Sequence, residues 1–186
     1  MALHPTRRRF SIAEYHRMAE AGIFGEDDRL ELIDGEVTEM APIGHRHAAC
    51  VARLTKYFVQ STGDAPVVWV QNPIRMHEQS EPQPDLALLH PRSDFYAARH
   101  PTPEDVMLLV EVAETSAEVD RKVKIPLYAR SGILEVLLVD LEQETITVYR
   151  DPTARGYRTT RVLRRGDEVA VSAAAGRPLT VADILG

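Results

Sequence analysis

A carboxylate set in an apolar strand is the feature of this sequence that asks most directly for chemistry. Glu111 follows the run Val106, Met107, Leu108, Leu109, Val110 and precedes Val112. Such a run suits a strand buried on both faces, where a carboxylate is costly unless it is paired or holds a cation. Asp85 follows Pro84 at the head of another short apolar segment, and Lys124 lies on the next helix-length segment with Asp120 one turn before it. Two carboxylates that meet at one point, with water completing the shell, are what Mg²⁺ or Mn²⁺ requires. Such an ion lowers the pKa of a bound water and stabilises charge on a phosphoryl oxygen. A lysine beside it orients the water or steadies the negative charge that builds around phosphorus. The same residues admit a plainer reading, in which Glu111 forms a structural ion pair with a lysine or arginine. Residue types alone leave both readings open.

These side chains need elements that bring them together. Residues 106–112 and 134–139 are two nearly unbroken apolar runs, joined by a helix-length segment at 117–130. A strand, a helix and a second strand in that order predict a parallel pair with the helix crossing between them. Pro126 is an oddity inside that helix, because proline removes a donor and kinks the chain. Upstream, Ser11 with Glu14 three residues on predicts a capped helix over 11–21, stopped by Gly22. Asp34-Gly35 between two short β-like runs predicts a hairpin over 29–40. Val51, Leu54, Tyr57 and Phe58 recur at helical spacing and predict a helix over 45–60, ended by 63–66. Further strands are expected at 67–71, interrupted by Asn72-Pro73 and resumed at 74–77, and at 84–89, 145–150, 157–163 and 169–171. A loop is expected at 91–103, where Pro91, Pro101 and Pro103 cluster, and a short helix at 180–185. The fold class is therefore α/β with a mixed sheet. We expect one domain over 1–186, with its core at about 11–150 and a β-rich extension at 151–186.

Bulk composition narrows the function classes. With 44% apolar and 27% charged residues, the chain belongs with folded globular proteins and not with disordered ones. No stretch approaches a membrane-spanning helix, and Arg7, Arg8 and Arg9 are followed by no apolar run, so they are not read as a secretory signal. The lone Cys50 excludes an intramolecular disulfide and a cysteine-rich zinc site, and the cytoplasm is the expected compartment. His45, His77, His90 and His100 lack metal-ligand spacing. The net charge of -6 opposes a nucleic-acid partner unless a local basic patch overrides it. Arg7 to Arg9, and Arg161 with Arg164 and Arg165, are two such patches; each also reads as solvated surface.

An ordered series of motifs carries a resemblance. Pro84-Asp85, then Leu109-Val110-Glu111-Val112, then the stretch from Asp120 through Lys124 and Tyr128 to Ala129, then Gly132-Ile133 and Leu138-Val139-Asp140, resembles the Uma2 family of restriction endonucleases in the PD-(D/E)XK nuclease superfamily. The Leu30–Glu36 hairpin and His47 on the following helix fit it too, so the match covers most of residues 11–150. The resemblance implies a restriction-endonuclease-like mixed sheet flanked by helices, with Mg²⁺ or Mn²⁺ held by Asp85 and Glu111. It implies hydrolysis of DNA phosphodiesters and a homodimer that meets two strands. The superfamily places its lysine two residues after the acidic residue, but that position here is Ala113, and the lysine is shifted to Lys124. Lys122 competes for the role, yet it lies roughly 200° around the helix from Asp120 whereas Lys124 shares the Asp120 face. Glu31 matches an N-terminal acidic residue that holds a water or a second metal; its plainer reading is an exposed strand glutamate. His47 is assigned phosphate contact or proton transfer, against a surface or packing histidine. Tyr128 is expected to pack on the sheet. An alternative of another class is a catalytically weak or silent member that binds nucleic acid or a protein partner, and the acidic net charge and displaced lysine favour it.

Overall fold

In the computed structural model, residues 7–61, 66–173 and 178–186 are described. Helix α1, Ile12–Glu20, starts where Ser11 and Glu14 form a reciprocal capping box. It ends at Gly22, whose φ of +68° is left-handed, with the Ile23 N–H returning to the Met18 carbonyl at 3.0 Å. Strands β1, Leu30–Ile33, and β2, Glu36–Glu39, pair antiparallel across Asp34 and Gly35. Both turn residues have positive φ (49° and 78°), the geometry that matches the strand twist. A Cβ on Gly35 would also stand 2.5 Å from the Arg9 Cβ, so glycine is required there twice over.

The centre is a six-stranded sheet: β3 Val67–Val70, β4 Leu86–Leu89, β5 Val106–Ala113, β6 Glu135–Asp140, β7 Thr145–Thr153 and β8 Gly156–Leu163, in that spatial order. β5 and β6 run parallel, with Glu111 opposite Leu138, and every other pair is antiparallel. The chain therefore forms the mixed α/β architecture expected of it, with the two apolar runs side by side at its centre.

Alternation along the strands sorts the core into two layers. Leu86, Leu88, Leu108, Val110, Val112, Leu137 and Val139 face helix α2, His45–Ser61, which buries Cys50, Val51, Leu54 and Phe58 against them. The opposite parity, Ala87, Leu89, Leu109 and Val136, faces α3, the helical segment 117–130. Glu111 has the parity of Leu109, so it is aimed at α3 and not at α2. In α3, a first turn at Ala117–Val119 leads into a π-helical stretch, Asp120–Lys124, before Ile125–Arg130 continues as α-helix. The wide turn resolves the Pro126 oddity. A proline nitrogen cannot close the regular ladder and its ring crowds the preceding turn, and the Ile125 N–H bonding back to the Asp120 carbonyl opens the helix just before it.

Three local expectations need correction. Residues 74–77 do not extend β3: Gln71 is left-handed (φ 49°), Pro73 follows, and Ile74 and Met76 instead bond back to Pro82 and Ser80. Leu134 lies outside β6 and is exposed, because the chain is still leaving the turn at Gly132. The strand expected at 169–171 is the shorter β9, Glu168–Val169, paired with an unanticipated β10, Leu179–Thr180, ahead of a last helix α4, Val181–Leu185. The expected end of α2 at Gly63 lies outside the described residues. Among the described residues no helix is long and apolar enough to cross a membrane.

Candidate active site

Antiparallel pairing of β4 with β5 sets Leu86 opposite Val110, which carries Asp85, one residue before β4, to the level of Glu111 and Val112. The Val112 N–H donates to Asp85 Oδ2 at 2.8 Å, so the strand that bears one carboxylate holds the other. His47, in the first turn of α2, donates from Nε2 to Asp85 Oδ1 at 2.9 Å, and Gln71 donates to the same oxygen at 3.3 Å. From the hairpin, Glu31 on β1 reaches inward and accepts the Gln83 N–H at 3.2 Å. From α3, Lys124 places Nζ 3.1 Å from Glu31 Oε2 and 3.4 Å from Glu111 Oε1. Tyr128, one turn on, donates its hydroxyl to Glu111 Oε1 at 2.5 Å.

All five residues singled out in the sequence, Glu31, His47, Asp85, Glu111 and Lys124, line one cavity of about 130 Å³, together with Asp120. Glu31 is buried and ion-paired, not the exposed strand glutamate of its plainer reading. Lys122 projects to solvent and pairs with Glu118 at 2.5 Å. Of the two basic patches, Arg165 pairs with Glu144, and Arg7 and Arg9 pair with Glu36.

The electrostatics follow from burial. Glu111 is 3% exposed, and desolvation lifts its pKa well above the usual carboxylate range; Asp120 and Asp85 add to the rise, against the Lys124 ammonium and the Tyr128 hydroxyl. Burial also raises Asp120, which accepts the Ser116 hydroxyl at 2.8 Å. For Lys124, burial alone would favour the neutral amine, but Glu111, Glu31 and Asp120 together outweigh it and hold the side chain cationic. The hydrogen bond to Asp85 raises His47 in the same sense, against its burial. Nδ1 of His47 is buried without a hydrogen-bond partner.

Four buried carboxyls, Glu31, Asp85, Glu111 and Asp120, thus share the cavity with Lys124, His47 and Arg29. That excess of negative charge in a low-dielectric pocket is a setting for a cation. Among the described residues no three His, Cys, Asp or Glu side chains converge into an all-protein cage. The donor set fits an ion that keeps most of its water and takes one or two carboxylates, which is how Mg²⁺ is held.

Three contributors escaped the sequence reading. Tyr128 reads from the sequence as a packing residue, and only its position one turn after Lys124 hints at more. Gln71 reaches Asp85 because its backbone is left-handed after β3, a conformation that no residue type there announces. Gln83 contributes a backbone N–H, which leaves no side-chain signature.

Comparison with known proteins gives the same picture of the fold. Residues 12–182 match the Uma2 family, described as "Putative restriction endonuclease". The crystal structure of a "putative nuclease belonging to DUF820" from Anabaena variabilis superposes with a TM-score of 0.73 at 15% sequence identity, over 95% of this chain and 97% of that one. A search of curated proteins finds no match.

Proposed function

Because the chain belongs to the Uma2 family of restriction endonucleases, we propose that it is a divalent-metal-dependent endonuclease that hydrolyses DNA phosphodiester bonds, with Asp85 and Glu111 holding Mg²⁺ or Mn²⁺. The observation that carries this reading is the convergence of Asp85 and Glu111, from antiparallel strands, on one small acidic cavity that also holds Lys124. When bound there, such an ion lowers the pKa of the attacking water and offsets charge on the phosphoryl oxygens.

The residues of the chain supply positioning and fixed charge. Asp85 is oriented by the Val112 N–H on Oδ2 and by His47 on Oδ1. Glu111 is anchored through Oε1 by Tyr128. Lys124, kept cationic by its neighbours, is the group that faces the charge developing on phosphorus. Glu31 holds the Lys124 ammonium from the hairpin side and is available to a water or a second ion. A homodimer, presenting two such sites to two strands, and a cytoplasmic location belong to the same proposal. Light scattering that gives a monomer mass at high concentration contradicts the dimer.

One observation favours the alternative of a silent nucleic-acid- or protein-binding member. Lys124 already pairs with both Glu31 and Glu111, as it would in a purely structural cluster. Supercoiled plasmid separates the two readings. The nuclease reading expects nicked and linear DNA with Mg²⁺ or Mn²⁺, none with EDTA, and none with Glu111→Ala. DNA left intact under every ion, or cut equally by Glu111→Ala, rules out the proposed chemistry.

A further inference from the structure

Tyr128 is fully buried, at 0% exposure, among Ile125, Leu127, Ile133, Leu109 and Val136. A phenylalanine would fill that site without bringing in a hydroxyl, whose burial is unfavourable unless it is bonded. The hydroxyl has a partner, Glu111 Oε1, at 2.5 Å. The bond fixes the oxygen that Lys124 also approaches, at 3.4 Å, so two donors from successive turns of α3 meet one carboxylate oxygen. The helix around them is held from outside the cavity. Arg121 donates to Asp140 at 2.7 Å at the end of β6, and Arg130 donates to Asp34 at 2.5 Å in the hairpin turn. Tyr128 therefore projects from a helix tied to both the sheet and the hairpin.

We infer that Tyr128 is a positioning residue, which sets the orientation of the Glu111 carboxylate toward the cation; this rests on the metal-binding reading above. Partners of a metal-bound carboxylate act on affinity through geometry, and their removal typically costs roughly 10- to 100-fold. Tyr128→Phe keeps the ring and the packing and removes only the donor.

The test is a Mn²⁺ titration followed by electron paramagnetic resonance, on wild type, Tyr128→Phe and Tyr157→Phe. Tyr157 is the control, because its hydroxyl donates to the Ile133 carbonyl at 2.8 Å in the same layer and does not touch the cavity. We expect Tyr128→Phe to weaken Mn²⁺ roughly tenfold or more, and Tyr157→Phe to leave affinity unchanged. Equal affinity in Tyr128→Phe and wild type, with wild type binding, overturns the inference alone. Wild type that binds no Mn²⁺ overturns the metal reading and this inference with it. If Tyr128→Phe does not fold, ring-labelled tyrosine NMR of the wild type decides. One buried tyrosine signal that moves on Mg²⁺ saturation, and is retained in Tyr157→Phe, supports the inference; no such movement overturns it.

Discussion

Lys124 Nζ stands 3.1 Å from Glu31 Oε2, and that ion pair joins α3 on one face of the sheet to the hairpin near the start of the chain. Lys124 is 8% exposed and Glu31 is 4% exposed, so the pair is largely shielded from bulk solvent. The pair closes one wall of the acidic cavity. It also holds the ammonium beside Glu111, 3.4 Å from Oε1, which is where the proposed nuclease reading needs a fixed positive charge.

Lys124→Ala is expected to lower the rate of DNA cleavage by roughly two to three powers of ten, the usual effect of losing one preorganised donor. Metal affinity should change far less, because a protonated lysine is not a ligand. Lys122→Ala is the internal control, since that side chain is exposed and pairs with Glu118. Cleavage lost in Lys122→Ala and kept in Lys124→Ala reverses the assignment.

His47→Ala removes one of the donors that orient Asp85 and leaves the Val112 N–H in place. A partial loss of activity is expected, on the order of 10- to 100-fold, with the fold intact by circular dichroism. Full activity in His47→Ala shows that the contact with Asp85 is only packing.

Two carboxyls in the loop between β4 and β5 are held ionised by neighbouring arginines. Asp105 accepts from Arg99 at 2.6 Å and from the Thr102 N–H at 2.8 Å, and these bonds, the arginine first, hold its pKa at about 2 against an ordinary 3.8. Asp94, paired with Arg92, is held at about 2 in the same way. A carboxyl depressed in the folded state stabilises the protein above its unfolded pKa, and that contribution is lost as pH falls through the folded one. Asp105→Asn should therefore melt at a lower temperature than wild type at neutral pH, with the gap closing between about pH 4 and pH 2. A gap that stays constant across that range refutes the role of the ionised pair.

The parts of this molecule written in periodicity and capping are legible in the sequence. The parallel pair of β5 and β6 follows from two apolar runs and a helix-length link, and α1 follows from Ser11, Glu14 and Gly22. The hairpin follows from Asp34-Gly35. Asp85, Glu111 and Lys124 stand out by residue type and position along the chain, Glu31 and His47 join them through the family motifs, and all five line one cavity. What stayed hidden depends on backbone departures from regularity. The π-helical stretch before Pro126 changes the angular bookkeeping of α3, and left-handed Gln71 both ends β3 and delivers a donor to Asp85. Pro126 and Pro73 mark that the chain departs from regularity nearby, but not which departure it makes. The hydroxyl of Tyr128 was hidden for another reason, because an aromatic on a buried helix face reads as packing until its partner is known.

The most direct measurement of the central claim is calorimetric titration of Mn²⁺ into the wild-type protein, Asp85→Ala and Glu111→Ala. Saturable binding to the wild type is expected, lost in both variants while their circular dichroism is unchanged. Equal binding by all three proteins, or no binding to the wild type, contradicts it.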